Sequence, residues 1–505
     1  MTFPAHSIHS WRQADCLSLS KNFTDNNNPF TPSIHNYISD DQTSGKSAGE
    51  FTGMYFIIGK IWGITGVQLW IYRLVNLFLL GFACFSLFKT LQKTWDSTYW
   101  SLFVSLFVLT SPLIVFYTPN FLTDITALSF TIWGWSYFLQ FSQIKTNRKL
   151  IISFGLFALA ALFKISAAVS LLGIFGIFIL EFIGAFKKQE NLFTQKWKHL
   201  LYFFSTILVV ISWYIYAEHY NSIHGGKYTF NSLWPLWELD ELHYNNAIKF
   251  FKEITIFQLF NKIVLASLFL LTIIALIITF IKNRKVFFLL VFILFGYTCY
   301  IVFWFGALEN HDYYFINLFT LPIIILAINI HYLITSVSNT FSLQIFKVIA
   351  FLLFSIGVFY SASNIRLRYS EKMHVGKFLS ETFYDANQII YWNWISSVKR
   401  NEGLFTIEKY NRSLGIKESD LVICYPDFTF NYSLFYLNQK GWTTFNNQNY
   451  EKEPIEFSIE RGAAYLIINK WDLEYNMHAD ISKIQHFMTD SIGYHKGFTI
   501  YRLKK

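Results

Sequence analysis

The chain has 505 residues, 53% hydrophobic and 20% aromatic against 14% charged, with a formal net charge of +9. So few charges cannot coat a soluble protein of this length, which excludes a water-soluble enzyme and points to an integral membrane protein. The positive excess does not mark a nucleic-acid binder: most of it falls in short loops between apolar segments, and the soluble region mixes both signs.

In chain order, residues 1–66 form a first region ahead of any apolar run long enough to span a bilayer. The region contains HSWRQAD, His9 to Asp15, and ends in EFTGMYFIIGKIWGITG, residues 50–66. The mixed polarity of that last stretch predicts a helix lying along the membrane interface, with Tyr55 and Trp62 at headgroup depth. MTFPAHSIHS has neither a charged n-region nor an apolar core of a signal sequence, so a further helix upstream of Met1 is expected.

Residues 67–361 form a second, transmembrane region. Spans are predicted near 67–91, 99–117, 121–141, 150–163, 165–186, 199–217, 259–281, 286–304, 314–335 and 345–361, since about 20 apolar residues cross about 30 Å of hydrocarbon as helix. The fourth and fifth are one apolar tract broken by Lys164, where the chain must turn, placing Lys164 near a membrane face. Alternate loops carry Lys89 and Lys93; Lys145, Arg148 and Lys149; Lys187, Lys188, Lys196 and Lys198; Lys282, Arg284 and Lys285; and Lys347. By the positive-inside rule these loops are cytoplasmic. The nearly bare set, with the loops at 118–123 and 306–312, lies outside, as do residues 1–66 and the tail. The outer loop between the sixth and seventh spans, with Lys227, Trp234, Trp237, His243 and Tyr244, either closes over a site or anchors at the interface.

In residues 362–505 charges return. DLVICYPD, AAYLIINK and FTIYRLKK read as short buried strands, and NYSLFYLNQKGW as a helix leading into a glycine turn, so a small extracytoplasmic α/β domain is expected. Asp427, at the end of the first strand, reads as a cap. All four cysteines are expected to be free, and no repeat or long linker is evident.

Three polar clusters fall on the outer side: His9, Trp11, Arg12, Gln13 and Asp15; the turn TPNFLTD ending in Asp124; and ENHDYY, Glu309 to Tyr314. Ionisable groups at a membrane face are expensive unless they meet a substrate, a partner or water. Each cluster also has a plainer explanation. Asp124 stands where a helix cap would, HDYY is compatible with an aromatic belt and a capping Asp312, and HSWRQAD with a solvated loop.

With HSWRQAD ahead of a helix ending in Lys-Asn-Phe, Asp124 opening the third span, HDYY leading into LFTLPIIIL, and a soluble outer tail, the whole chain resembles the GT-C superfamily. The resemblance is to the family 39 branch of protein mannosyltransferases and the lipid A aminoarabinose transferase. It implies a polytopic α-helical GT-C fold and an inverting transfer of a sugar from a polyprenyl-phosphate carrier to an acceptor hydroxyl on a glycan, lipid or protein. The reaction would run at the outer face of the inner (plasma) membrane, with the lipid-linked sugar as substrate and no cofactor. No metal site is expected, because His9, His311 and Asp124 lack any local ligand spacing that would mark one. The leaving phosphate needs cations or donors, for which Arg12, His311 and Lys164 are candidates, and the acceptor hydroxyl needs a base, Asp15 or Asp124. His9, a conceivable base itself, Gln13, Asp312, Tyr313 and Tyr314 complete the expected carrier and substrate contacts.

The chain departs from the family in its first outer loop. Arg12-Gln13 stands where better-known members have an Asp-Glu pair, and Phe51-Thr52-Gly53 where a Lys-Pro-Pro segment is common. The competing classes are a lipid-linked sugar flippase and a membrane-anchored binding protein. A transporter tends to place its ionisable groups near the midplane and to show inverted repeats, and a binding protein predicts featureless outer loops. The topology has a direct check. A cysteine placed by Asn310→Cys is expected to react with an impermeant maleimide in intact cells, and reaction only after permeabilisation would overturn both the topology and the site.

Overall fold

A computed structural model describes residues 3–186, 191–226, 233–337, 339–369, 391–392, 402–446, 452–475 and 481–504. Lys187, Lys188 and Lys227 lie outside the described residues. The N-terminal segment holds helices α1 (Ser10–Asn22) and α2 (Gly53–Thr65). The bundle comprises α3 (Leu69–Trp95), α4 (Thr98–Leu106), α5 (Pro112–Tyr117), α6 (Thr123–Ile144), α7 (Asn147–Phe163), α8 (Ala168–Phe182) and α9 (Lys196–His224). It continues through α10 (Glu241–Phe250), α11 (Ile256–Leu259), α12 (Lys262–Lys282), α13 (Arg284–Phe303), α14 (Thr320–Ser336) and α15 (Thr340–Tyr369).

All ten predicted spans are helical. Among the described residues, seven helical stretches are long and apolar enough to cross a membrane: Leu69–Trp95, Ile165–Phe182, Lys196–His224, Lys262–Lys282, Arg284–Phe303, Asp312–Ser336 and Phe341–Tyr369. The other three are shorter or more polar. The second is split between α4 and α5, where Ser111 caps α5 by accepting from the Ile114 N–H and Pro112 occupies its first position. α6 buries Thr126, Ser129, Thr131 and Ser136, and Thr126 and Ser136 hydrogen-bond Asn76, Ser86 and Thr90 of α3.

The turn at Lys164 falls as expected. α7 stops at Phe163, Lys164 is extended, and a single 3-10 turn, Ile165–Ala167, leads into α8. At the opposite end of the bundle, buried Glu181 accepts from the Leu192 and Phe193 N–H groups at 3.0 Å and pairs with Lys285 at 2.8 Å.

A helix forms at 53–65 as expected, but Tyr55 and Trp62 are on its buried face. Tyr55 and Trp62 are almost wholly inaccessible, and Ile57 and Ile64 are 56% and 89% exposed. Composition marks a mixed-polarity helix without saying which side faces protein. Here α1 decides it: Gly59 lies so close to the Ser20 carbonyl and the Phe23 Cβ that a side chain there would clash, and Tyr55 and Trp62 pack on that same side. Trp62 Nε1 donates to the Gln68 carbonyl at 2.9 Å.

The C-terminal domain has a five-stranded sheet in the order β2-β1-β3-β5-β4, from β1 (Leu421–Tyr425), β2 (Gly441–Thr443), β3 (Ala463–Asn469), β4 (Met488–His495) and β5 (Phe498–Leu503). β2, β1 and β3 run parallel and β5 and β4 pair antiparallel. Helices α16 (Ile407–Ser413), α17 (Tyr432–Leu437), α18 (Lys452–Glu460) and α19 (Lys470–Tyr475) accompany it. Asp427 accepts from the Thr429 N–H and hydroxyl and from the Ser433 N–H, as a cap does. All four cysteines are free.

One buried ion pair ties the last span to the HDYY motif. Arg368 Nη2 lies 2.9 Å from Asp312 Oδ2, both side chains are fully buried, and the guanidinium sits 4.2 Å from the ring centres of Phe116 and Trp392. Asp312 also accepts from the Tyr117 hydroxyl at 2.6 Å. Removing one partner of such a pair leaves an uncompensated charge, so Asp312→Asn is expected to cost about 3–5 kcal/mol of stability, read as a fall in Tm in detergent. Arg368→Met added to it should restore part of the loss.

Candidate active site

The site begins with a strained turn. Ser7 and His9 both adopt positive φ, 66° and 58°, a region that side chains other than Gly avoid, and His9 is the N-cap residue of α1. The turn brings the His9 ring parallel to that of His311, centroids 5.0 Å apart at 14°, with Tyr313 and Trp11 edge-on to both. His9 Nε2 is 3.7 Å from Asp312 Oδ1. Burial, helped by the Arg368 charge, pushes His9 down to about 3, and burial pushes His311 down to about 3 as well, so both rings are neutral. His311 Nδ1 lies 3.0 Å from the Ala307 carbonyl, which can only accept, so that nitrogen carries the proton and Nε2 is an acceptor. His311 therefore differs from the cationic or donor group expected from sequence.

One turn into α1 stands a chain of four alternating charges. Arg12 Nη2 meets Glu50 Oε2 at 2.6 Å, Glu50 Oε1 meets Lys164 Nζ at 3.2 Å, and Lys164 Nζ meets Asp124 Oδ1 at 3.5 Å. Their side chains are only 2–12% exposed. Tyr55 and Thr123 hydroxyls donate to Glu50 Oε2 at 3.1 and 3.4 Å, and Lys164 Nζ stands 5.1 and 5.5 Å from the ring centres of Tyr314 and Tyr313. Burial pushes the Glu50 carboxyl up, but the Arg12 and Lys164 charges overcome it and hold Glu50 below the usual carboxylate range.

Each member is placed by its own element. α9 grips the segment before Glu50: Asn221 exchanges two 2.7 Å hydrogen bonds with the Ala48 backbone, and Trp213 Nε1 donates to the Gly49 carbonyl. The Phe51 N–H then donates to the Leu162 carbonyl, setting Glu50 beside Lys164. On α3, Arg73 Nε donates to the Pro119 carbonyl and Asn76 Nδ2 to the Asn120 carbonyl, fixing the turn that delivers Asp124. Asp124 does not cap its helix; Leu122 is the N-cap residue and no side chain caps there.

Arg12, Lys164, Asp124, Tyr313 and Tyr314 thus converge, and His9, His311 and Asp312 form an adjoining cluster that shares Tyr313. Asp15 is turned elsewhere, its Oδ1 accepting from Asn431 of the C-terminal domain at 2.8 Å. Gln13 is fully buried, and neither atom of its amide finds a hydrogen bond among the described residues. Glu50 escaped the sequence reading, as did Tyr55, Tyr117 and Arg368. A signal existed for Glu50, which is the only Asp or Glu between Asp41 and Asp96 and stands directly ahead of an apolar helix.

A scan against protein-family models finds no match, and no curated protein matches the chain. Solved structures do. ArnT from Cupriavidus metallidurans in the apo state superposes with a TM-score of 0.59 at 9% identity, covering 99% of this chain and 94% of that one. The same protein bound to undecaprenyl phosphate gives 0.56 at 10% identity over 99% and 95%. The Archaeoglobus fulgidus oligosaccharyltransferase gives 0.52 at 9% identity, covering 92% of this chain and 66% of that one. At such identities the likeness is one of fold.

The neutral histidines give the pH dependence a sign. A group whose pKa is lower folded than unfolded binds its proton preferentially when unfolded, so stability is full above about 6.5 and is lost as pH falls toward about 3. Each histidine should cost about 2 kcal/mol between pH 7 and pH 5. Asp15, raised by burial to about 7, acts in the opposite direction and returns about 2 kcal/mol over the same interval. Thermal unfolding should show His9→Gln losing about 2 kcal/mol less than the unmodified protein on that shift.

Proposed function

With the GT-C fold shown by these likenesses as the premise, we propose that the protein is an inverting glycosyltransferase. It moves a sugar from a polyprenyl-phosphate carrier to an acceptor hydroxyl on the outer side of the plasma membrane. The observation that carries the reading is the buried Arg12–Glu50–Lys164–Asp124 chain, with two cations and two carboxylates a few ångströms apart. One ArnT structure of the same fold was solved with undecaprenyl phosphate, and the Archaeoglobus oligosaccharyltransferase with a dolichol-phosphate and an inhibitory peptide.

The chemistry follows from charge balance. The carrier's phosphate brings negative charge to a cluster that is already neutral, so it competes with Glu50 and Asp124 for Arg12 and Lys164. As the glycosidic bond breaks, charge on the leaving phosphate grows and the two cations stabilise it more than they did in the ground state. A carboxylate that has given up its cation becomes more basic, which suits it to take the proton of the acceptor hydroxyl. Asp124 and Glu50 are the candidates for that role. Tyr313 and Tyr314 offer ring faces to a sugar beside Lys164, and Gln13, next to Arg12 in α1 with its buried amide unsatisfied, is a further candidate contact.

The test is an assay of purified protein in detergent with radiolabelled undecaprenyl-phosphate sugars and a panel of acceptors. Asp124→Asn and Glu50→Gln are expected to cut turnover by about 10²-fold or more with carrier binding largely kept, because a general base acts mainly in the transition state. Arg12→Ala and Lys164→Ala should weaken carrier binding and turnover together. Full turnover in both carboxylate variants would remove the assignment, and carrier movement across a bilayer without sugar transfer would favour a flippase.

A further inference from the structure

α1 is sandwiched between two bodies and shows each a different side. Arg12, Cys16 and Ser20 share the side toward the charges: Arg12 Nη1 donates to Cys16 Sγ, Cys16 lies 3.5 Å from the Tyr55 hydroxyl, and Ser20 packs near Gly59. Trp11, Ala14, Asp15, Ser18 and Asn22 share the other. Trp11 and Ala14 pack in the core of the C-terminal domain with Leu404, Ile407 and Leu434. At 100° per residue, Asp15 lies about 60° round the helix from Arg12.

The polar residues of that second side meet one side chain. Asn431, fully buried at the start of α17, donates through Nδ2 to Asp15 Oδ1 at 2.8 Å. Its Oδ1 lies within 3.2 Å of the Ser18 hydroxyl and of the His35 and Asn36 N–H groups. Ser18 also bonds His35 Nδ1 at 2.6 Å, and Asn22 reaches the same ring nitrogen at 3.3 Å. Beyond them the 35–37 segment runs along the free edge of β2, with the Tyr37 N–H on the Gly441 carbonyl and the Gly441 N–H on the His35 carbonyl. Every donor and acceptor of the Asn431 amide that the geometry can satisfy is directed at α1 or at the loop following it.

We propose that Asn431 is a positioning residue: through Asp15 and Ser18 it fixes the rotation and depth of α1, and thereby the reach of Arg12 toward the carrier phosphate. The inference rests on the reading of Arg12 as a phosphate ligand. The charged and titratable groups around Asp15 are Arg12 on its own helix, Glu50 ahead of α2, Asp427 on the loop after β1, and His35 across Ser18. Burial raises the Asp15 carboxyl, and Arg12 and the Asn431 hydrogen bond oppose it, so the bond strengthens as Asp15 ionises.

The network allows a reciprocal exchange as its test. The full-length protein in detergent would be titrated with undecaprenyl phosphate at pH 6 and pH 8, with hydrogen exchange of residues 10–22 followed in parallel. Asn431→Ala should weaken binding about tenfold and speed exchange, the scale of one lost hydrogen bond to a charged group. Asn431→Asp sets two carboxylates against each other, so it should bind poorly at pH 8 and recover at pH 6, where one of them holds a proton. Adding Asp15→Asn to Asn431→Asp reverses donor and acceptor, and should return binding to within about threefold of the unmodified protein at both pH values. A merely structural role would not produce that pH profile or that rescue. A double variant no better than Asn431→Asp at pH 8, or Asn431→Ala with unchanged binding and exchange, overturns the proposal. Should the unmodified protein fail to bind undecaprenyl phosphate, the carrier reading falls, and the exchange of residues 10–22 still decides whether Asn431 holds α1.

Discussion

The structure depends on compensating four buried charges at one point. Isolated, any of Arg12, Glu50, Lys164 and Asp124 would cost several kcal/mol to bury; in alternating order each is paired and the total is zero. The charges come from four places: α1, the segment before α2, the break between α7 and α8, and the first turn of α6. No one element can shift without leaving a neighbour unpaired. The surrounding devices make sense as responses to that constraint. Asn221 and Trp213 clamp the backbone before Glu50, and Arg73 and Asn76 clamp the turn before Asp124.

Such a site is rigid before anything binds and poorly balanced afterwards. On the proposed reading, a bound phosphate would add charge that the cluster could accept only by rearranging its internal pairs, so binding and activation of a carboxylate would be one event. The adjoining His9–His311 pair contributes no charge of its own. Its neutral rings and the Asp312–Arg368 pair behind them form a wall of fixed shape against which the cluster is held.

What the sequence reveals follows the range of the interactions involved. The ten apolar segments and the break at Lys164 are legible because hydrocarbon thickness acts on each stretch of chain locally. Asp124, Lys164 and Arg12 are legible because an ionisable group at a membrane face demands a reason. Glu50 is legible only in outline, because its importance rests on Leu162, Trp213 and Asn221, far along the chain. The orientation of Tyr55 and Trp62 is set by the approach of α1 at Gly59, which no periodicity within α2 encodes. Asp15 and Arg12 stand together in a seven-residue motif as candidates for one site, and only the presence of Asn431 on one side of the helix shows that Asp15 faces the C-terminal domain instead.

The bond between Asp15 and Asn431 joins residues 416 positions apart. Ribosomes add about 5–20 residues per second, so α1 leaves the ribosome about 20–80 s before its partner exists. The Asp15–Asn431 contact therefore cannot form before the bundle, β1 and the start of α17 have been synthesised. Once β2 has paired with β1, its other edge stays open until residues 35–37 dock on it, and an open strand edge invites wrong pairing. Of the four charges in the cluster only Arg12 sits on α1, so the C-terminal domain bears on the cluster through that one helix.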